Sequence, residues 1–251
     1  MGKAIEVLEL IAMAEQPLRF TDILNTLDQP RGTLHRQIAN LIGEGLVSVN
    51  PDGTYAAGLR LLKLAARSWS RNTFRSVAEP HIRALHEATG ETVHLGVLLD
   101  LEVVYIDKLE SRQTVRMHSQ VGNASPLYCT GIGKAMLALL PDDECKRRAH
   151  AMHYHRHTPT TLTSADDLLN EIEDIRASGI SEDREEHEPG IRCVAAGIAM
   201  DNEPMFAGIS VTAPAFRMDA ATRDALKISV SKTAKNIERD LRSHMGPRSQ
   251  E

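Results

Sequence analysis

The sequence has few cysteines, no long apolar run and no secretion signal. Its three cysteines, Cys129, Cys145 and Cys193, are odd in number and widely spaced, which fits a reducing compartment better than a disulfide framework. No uncharged stretch approaches the roughly 18 residues of a membrane span. The first residues lack the basic and apolar regions of a signal peptide. We therefore expect a cytoplasmic protein that does not insert into membranes.

Composition indicates a folded protein, and its N-terminal and C-terminal parts differ in net charge. The 251 residues are 42% hydrophobic, which is enough to bury a core of one large or two smaller domains. Residues 1–75 contain nine Lys and Arg against seven Asp and Glu, whereas residues 76–251 contain 20 against 27. A positive excess predicts binding to a polyanion only if the basic groups share one face.

The first 58 residues have the pattern of a winged helix-turn-helix domain. Apolar residues at helical spacing predict a helix over residues 3–15 and a short helix after Thr21. Pro30 precedes a third predicted helix, which begins near Arg31. The turn Asn50–Gly53 between two short apolar runs predicts a β-hairpin.

The third predicted helix has an apolar flank and a polar, basic flank. Leu34, Ile38, Leu41 and Ile42 form the apolar flank and are expected to be buried. The candidates for contact with DNA are Arg31, Gly32, Thr33, His35, Arg36, Gln37 and Asn40, together with Tyr55 in the hairpin. A helix fits a major groove about 12 Å wide, where Arg binds guanine and Thr or His binds bases or phosphates. A solvated face, or a winged helix that binds protein, is the alternative.

Residues 59–75 predict a linker helix with an exposed apolar stripe. Leu59, Leu62, Ala66 and Trp69 lie on one side of that helix. Such a stripe is typical of a dimer seam or a domain contact. A dimer presents two recognition helices to DNA.

Residues 76–246 predict a separate α+β domain with a central antiparallel sheet, and residues 247–251 predict a disordered tail. The predicted strands cover residues 92–99, 103–110, 114–121, 180–187, 193–200 and 205–213. A long amphipathic helix is expected over residues 219–245.

Two stretches of this domain are candidates for a ligand site. In PLYCTGIGK, residues 126–134, a strand end enters a helix through Thr130, Gly131 and Gly133, where backbone amides are suited to bind a carboxylate or phosphate. A tight turn that needs glycine for packing is the alternative. The second stretch, residues 183–193, is dense in charge beside an apolar strand, which indicates the mouth of a site. Lys134 and Arg192 either neutralise a ligand anion or pair with nearby acids.

Enzymatic and metal-binding interpretations are also open. A thiol hydrolase would use Cys193 as nucleophile, His187 as base and Asp183 as the orienting group. Cys193 begins an apolar strand, however, where a buried structural thiol is the usual case. Four histidines lie close together in HAMHYHRH: His150, His153, His155 and His157. No cysteine or carboxylate stands at characteristic spacing from them, so we assign neither a metal nor a cofactor.

Motifs along nearly the whole chain carry a family resemblance. RGTLHRQIANLIGEGLV, followed by YAAGLRLLKLA, resembles the recognition helix, wing and linker of IclR-family transcriptional regulators. ETVHLGVL, VVYIDKLES, PLYCTGIGKAMLA and EEHEPGIRCVA resemble the effector-binding domain of that family. The phrases ETVHLG, RMHSQVG and PLYCTGIGK are similar to the KdgR branch, whose members respond to sugar-acid catabolites such as 2-keto-3-deoxygluconate.

The resemblance implies a regulator with two kinds of partner. It implies a winged helix that binds double-stranded operator DNA as a homodimer, often as a dimer of dimers, and a GAF-like domain that binds a small organic or sugar acid. By position, the family's pocket maps onto Gly131, Ile132, Asp183, Ile191 and Cys193. Ile132 stands where some members have a smaller residue, and Gly32 where relatives commonly have Ser or Lys. We expect a repressor of a carbohydrate or organic-acid operon and not an enzyme.

Overall fold

The computed structural model describes residues 2–114, 117, 119–199 and 206–245. The predicted tail, residues 247–251, lies outside them. The chain divides into two compact units, Met1–Asn72 and Thr73–Glu251. Every helix among the described residues is too short or too polar to cross a bilayer.

The first unit is a winged helix-turn-helix followed by one further helix. Its elements are α1 (Gly2–Met13), α2 (Phe20–Thr26), α3 (Arg31–Gly43), β1 (Val47–Val49), β2 (Tyr55–Ala57) and α4 (Leu59–Ser70). Leu34, Ile38 and Leu41 of α3 are buried and pack with apolar residues of α1, α2 and β1, while Ile42 is half-buried. The three predicted helices and the hairpin are confirmed.

The hairpin closes through the turn that the sequence predicts. Asn50 donates its backbone N–H to the carbonyl of Thr54 at 2.8 Å, and Gly53 adopts a φ of 80°. The Asp52 carboxylate accepts the backbone N–H and the hydroxyl of Thr54 at 3.0 and 2.6 Å. Both bonds hold the pKa of Asp52 below its usual value, and the bond from the hydroxyl has the larger effect.

Two glycines join α3, the hairpin and α4 within this unit. Gly45 has a φ of 69°, which ends α3. A β-carbon on Gly58 would lie 2.2 Å from the Gly45 carbonyl oxygen, so only glycine fits there. Arg60 donates to the Glu44 carbonyl at 2.8 Å and also pairs with the Glu44 carboxylate. The beginning of α4 is therefore held against the winged helix.

The second unit is a six-stranded antiparallel sheet with helices on both faces. Its elements are α5 (Thr73–Thr89), β3 (Thr92–Leu99), β4 (Glu102–Leu109), β5 (Ala124–Pro126), α6 (Gly131–Leu139), α7 (Asp142–Ala151), α8 (Ala165–Ser178), β6 (Ser181–Arg184), β7 (Ile191–Ile198), β8 (Ala207–Pro214) and α9 (Ala220–Met245). The strand order is β5-β4-β3-β8-β7-β6, with every neighbour antiparallel. One apolar core joins α5 and α9 to the sheet, and another joins α6, α7 and α8 to its other face. The α+β class is confirmed.

Two predicted strands differ from the structure. The strand predicted over 114–121 is wrong in its described residues, because the Lys108 ammonium binds the carbonyls of Met117 and Ser119 at 2.9 and 2.6 Å and holds them in a loop. The strand that follows β4 along the chain and pairs with it is β5 instead. The strand predicted over 180–187 ends at Arg184, because Glu185 adopts a φ of 66°. This early end places His187 in a loop.

Candidate functional site

The outward face of α3 carries most of the predicted DNA-contacting residues. Arg31, Gly32, His35, Arg36 and Asn40 are exposed, opposite the buried Leu34, Ile38 and Leu41. A β-carbon on Gly32 would meet nothing within 4 Å, so the first turn is open to close approach. The structure therefore gathers small, polar and basic groups on one face, as expected.

Phe20 of α2 positions two of the basic side chains. The Arg31 guanidinium carbon lies 5.3 Å from the centre of the Phe20 ring, and the His35 ring lies 6.1 Å from it. The exposed Arg36 makes no hydrogen bond or ion pair with the residues that the structure describes. Arg36 is thus a basic group of α3 that is available to bind an external anion or base edge.

Three predicted contact residues are less open than expected. Thr33, Gln37 and Tyr55 are half-buried. The Gln37 amide oxygen is buried without a hydrogen-bond partner among the described residues, because position 37 lies three residues after Leu34 and turns towards the apolar flank. Tyr55 packs against the core of the unit, and its backbone N–H bonds the Leu18 carbonyl at 2.7 Å. Gln37 and Tyr55 are therefore less accessible than the exposed candidates, and their contact with DNA stays a prediction.

The second unit contains a cavity of about 250 Å³ between the start of α6 and the strands of the sheet. Six of the seven predicted effector residues line it: Thr130, Gly131, Ile132, Asp183, Ile191 and Cys193. Gly133 does not line it. A β-carbon on Gly133 would lie 2.5 Å from the Leu127 carbonyl oxygen. For Gly133, the packing alternative is therefore the correct one.

The first turn of α6 uses much of its own hydrogen-bonding capacity. The Thr130 hydroxyl accepts the Gly133 N–H at 3.3 Å and donates to the Pro126 carbonyl at 2.7 Å. The Gly131 N–H bonds the Cys193 sulfur. This leaves the Ile132 N–H, which has no acceptor within the helix, as the first-turn donor available to a ligand. The expected cradle of three amides is reduced to one.

Asp183 is a buried carboxyl group on the cavity wall. Its Oδ1 accepts the Glu186 N–H at 2.7 Å. Burial is the main cause that raises the pKa of Asp183 to about 7, and the nearby Glu186 charge adds to it. The hydrogen bond from the Glu186 N–H acts in the opposite direction. Asp183 therefore changes charge near neutral pH.

Cys193 pairs with Asp183 across strands β6 and β7. Burial, and then the Asp183 charge, raise the pKa of the Cys193 thiol well above its usual value. Catalytic cysteines show the opposite shift, because the thiolate is the nucleophile. Burial also lowers the pKa of His187, which lies in the loop between the two strands. The predicted triad is close in space, but its thiol is not activated.

Several cavity residues escaped prediction from the sequence. They include His94, Tyr105, Ser119, Asn123, Ser125, Ser210 and Thr212. The buried His94 ring shares hydrogen bonds with the Ser119 hydroxyl at 2.7 Å and the Thr212 hydroxyl at 3.3 Å. Burial, and then the Lys108 charge, lower the pKa of His94 to about 3, so the ring is neutral. Polar residues inside apolar strands, such as His94 in TVHLGVLL, were the available signal.

Lys134 and Arg192 are engaged in ion pairs with side chains of the protein. The Lys134 ammonium is completely buried and lies 2.7 Å from both carboxylate oxygens of Glu186 and 2.6 Å from Glu171. Arg192 binds the Glu185 carboxylate at 2.8 Å. Neither cation lines the cavity. The structure thus favours ion pairing over neutralisation of a ligand.

Comparison with known proteins identifies this combination of units. The model described as the bacterial transcriptional regulator IclR C-terminal domain matches residues 66–239, and the IclR helix-turn-helix domain matches residues 2–51. The chain belongs to the IclR family of bacterial transcriptional regulators. It is accordingly a DNA-binding regulator of transcription and not an enzyme.

Similar IclR-family proteins span nearly the whole chain. The HTH-type transcriptional regulator BhcR of Paracoccus denitrificans is 34% identical over 99% of this chain and 88% of its own length. The regulator KdgR of Escherichia coli is 30% identical over 93% of this chain and 89% of its own length. The crystal structure of Thermotoga maritima IclR is 30% identical and superimposes with a TM-score of 0.71, covering 96% of this chain and 97% of that one.

Proposed function

We propose that this IclR-family regulator represses a carbohydrate or organic-acid catabolic operon and releases its operator when a small acid metabolite binds. The observation that carries the proposal is the polar cavity at the start of α6, in the same chain as an exposed basic face on α3. The similarity to KdgR supports the KdgR-like branch and a sugar or keto acid such as 2-keto-3-deoxygluconate.

The recognition face proposed to bind DNA comprises Arg31, Gly32, Thr33, His35, Arg36 and Asn40. In this arrangement α3 enters the major groove, where Arg36 reads a base edge or binds a phosphate. Gln37 and Tyr55, being half-buried, support the helix and the hairpin from within. The positive ends of the first-turn amides add attraction for phosphate.

The cavity is suited to a short polyhydroxylated acid. Hydroxyl and amide groups of Ser119, Asn123, Ser125, Ser210 and Thr212 line it, together with the neutral His94 ring. Its described lining contains carboxyl groups but neither Lys nor Arg. An anionic effector therefore binds best when Asp183 is protonated, so that a carboxyl O–H is available to the ligand.

Dimerisation is proposed to occur through α4. Leu59 and Leu62 are 84% and 68% exposed, and with Ala66 and Trp69 they recur at the three- and four-residue spacing of a coiled-coil seam. A second copy of the chain would bury this stripe and present two recognition helices. Pairing of two such dimers, and a cytoplasmic location, belong to the same proposal.

Effector control would act on the spacing of the two recognition helices. A dimer with two recognition helices requires DNA half-sites separated by whole helical turns. A small change in the distance between the two helices therefore weakens binding to a fixed operator. The effector shifts this equilibrium only to the extent that it binds the released state more tightly than the DNA-bound state.

The proposal is tested by capturing the genomic DNA bound by the full-length regulator and titrating that DNA with the protein in the presence of candidate acids. We expect a sugar or keto acid to weaken binding and to raise the thermal unfolding temperature of the protein. Asp183→Ala is expected to reduce both effects while DNA binding without effector is retained. No response to any acid in a panel covering keto and sugar acids would overturn the effector assignment.

A further inference from the structure

Three metal-ligating side chains that are distant in sequence meet beside the cavity. Cys129 lies just before α6, His157 in the loop after α7, and His187 in the loop between β6 and β7. The Cys129 sulfur and one ring nitrogen of each histidine all lie within 4.8 Å of one another. From this convergence we propose that Cys129, His157 and His187 form a binding site for a transition-metal ion of the Zn²⁺ class.

Hydrogen bonds hold the two histidine loops together. The hydroxyls of Thr158 and Thr160 each donate to the Glu185 carbonyl at 2.7 Å, and the Thr161 hydroxyl donates to the Glu186 carbonyl at 2.6 Å. These bonds join residues 25 to 27 positions apart in the chain. The loops that carry His157 and His187 are therefore positioned before any metal binds.

Tyr128 fixes the third segment to the first loop. Its hydroxyl donates to the His155 carbonyl and accepts the His155 N–H, each at 2.8 Å, and lies 3.2 Å from the His157 Nε2. Since Tyr128 precedes Cys129 directly, these bonds bring the thiol to the histidines. The His157 and His187 rings meet edge to face, with their centres 5.1 Å apart.

The chemistry of the three groups indicates the class of metal. One thiolate and two imidazoles are typical ligands of Zn²⁺, which binds sulfur at about 2.3 Å and nitrogen at about 2.0 Å in tetrahedral geometry. Such distances place ligand atoms roughly 3.5 Å apart, so rotations that close the present separations by about 1 Å complete the site. When the metal–sulfur bond forms, the Cys129 proton passes to solvent. A fourth position is left for water or another ligand.

The site differs from the histidine run considered in the sequence analysis. Of the four histidines of HAMHYHRH, only His157 belongs to the three-ligand cluster. His153 lies in the same loop, is exposed and has no place in the cluster. His153 therefore provides a matched control that distinguishes the proposed site from adventitious binding to the run.

Cobalt titration of the full-length, untagged and metal-stripped protein tests the proposal. We expect one Co²⁺ per chain, with the near-ultraviolet charge-transfer band of a cobalt–thiolate bond, displaced by Zn²⁺. Cys129→Ser is expected to remove the band, and His157→Ala and His187→Ala to weaken binding roughly tenfold or more. His153→Ala and Cys145→Ser, the latter at another buried cysteine, should leave binding unchanged.

Results of two kinds, one spectroscopic and one from the histidine variants, would overturn the proposal. One is the absence of a thiolate band in the wild-type protein, or its persistence in Cys129→Ser. The other is equal weakening by His153→Ala and His157→Ala, which would assign binding to the histidine run. Because Cys129 is buried in the core, Cys129→Ser is checked for folding by circular dichroism. His157→Ala alters an exposed side chain and keeps the test independent of that outcome.

Discussion

A β-carbon added to Gly131 would lie 2.5 Å from the Cys193 sulfur. Gly131→Ala should therefore displace Cys193 and destabilise the protein by about 1 to 3 kcal/mol, as overpacking typically does. Urea denaturation measures the change. In a Cys193→Ala background, which removes the sulfur, the same substitution should cost much less. An equal loss in both backgrounds would place the strain elsewhere.

The buried Lys134 should contribute strongly to stability because it neutralises two acids. Lys134→Met leaves the buried Glu186 without its cation, while Glu171 keeps Arg184 at 3.9 Å, and we expect a loss of about 3 to 5 kcal/mol in the free energy of unfolding. Arg192→Met is the control, since Arg192 and Glu185 are each about a third exposed and solvent screens such a pair, so its loss should cost little stability. Similar losses for the two variants would contradict the difference in burial.

Asp183 should make stability fall as pH rises towards neutrality. Its pKa in the folded protein is about 7, above the usual 3.8, so the folded chain holds the proton more tightly than the unfolded chain. The stabilisation from this proton is present below about pH 4 and is lost as pH rises to about 7. In the wild-type protein this loss lowers the free energy of unfolding by on the order of 2 to 4 kcal/mol, and Asp183→Asn should abolish the decrease. Urea denaturation at several pH values measures both proteins. Parallel pH profiles for the two proteins would refute this.

Arg36 should contribute directly to operator binding. Arg36→Ala is expected to weaken specific binding by about 1 to 3 kcal/mol, measured by fluorescence anisotropy at fixed salt. Arg83→Ala, which removes an exposed arginine paired with Glu79 in the second unit, is the control and should have no effect. Unchanged affinity in Arg36→Ala would exclude a contact at this position.

The proposed dimer seam can be tested with two leucines of one helix. Leu62→Glu places a charge in the stripe and should shift the protein towards monomer in light scattering coupled to size-exclusion chromatography. Leu64→Glu alters a leucine that is also exposed, 53% against 68%, but lies off the stripe, and should leave the dimer intact. If Leu64→Glu disrupted the dimer and Leu62→Glu did not, the dimer seam would lie on another face of α4.

Local patterns predicted the elements better than the loops that form the site. The apolar run of residues 92–99 and the helix start at Arg31 were found at their observed bounds, because periodicity and turn residues act over a few positions. The segment around Ser119 was misassigned because a lysine distant in sequence, Lys108, holds its carbonyls. Gln37, a candidate for DNA contact, is half-buried because it lies three residues after the buried Leu34.

The sequence by itself determined the winged helix, the alternation of strands and helices, the family and six residues of the cavity wall, since each depends on short-range periodicity or on a motif. Only the tertiary structure decided that Lys134 is buried between two acids, that the His94 ring is neutral and that Cys129 meets His157 and His187. Those properties depend on burial and on distances between segments remote in the chain, neither of which a linear pattern records.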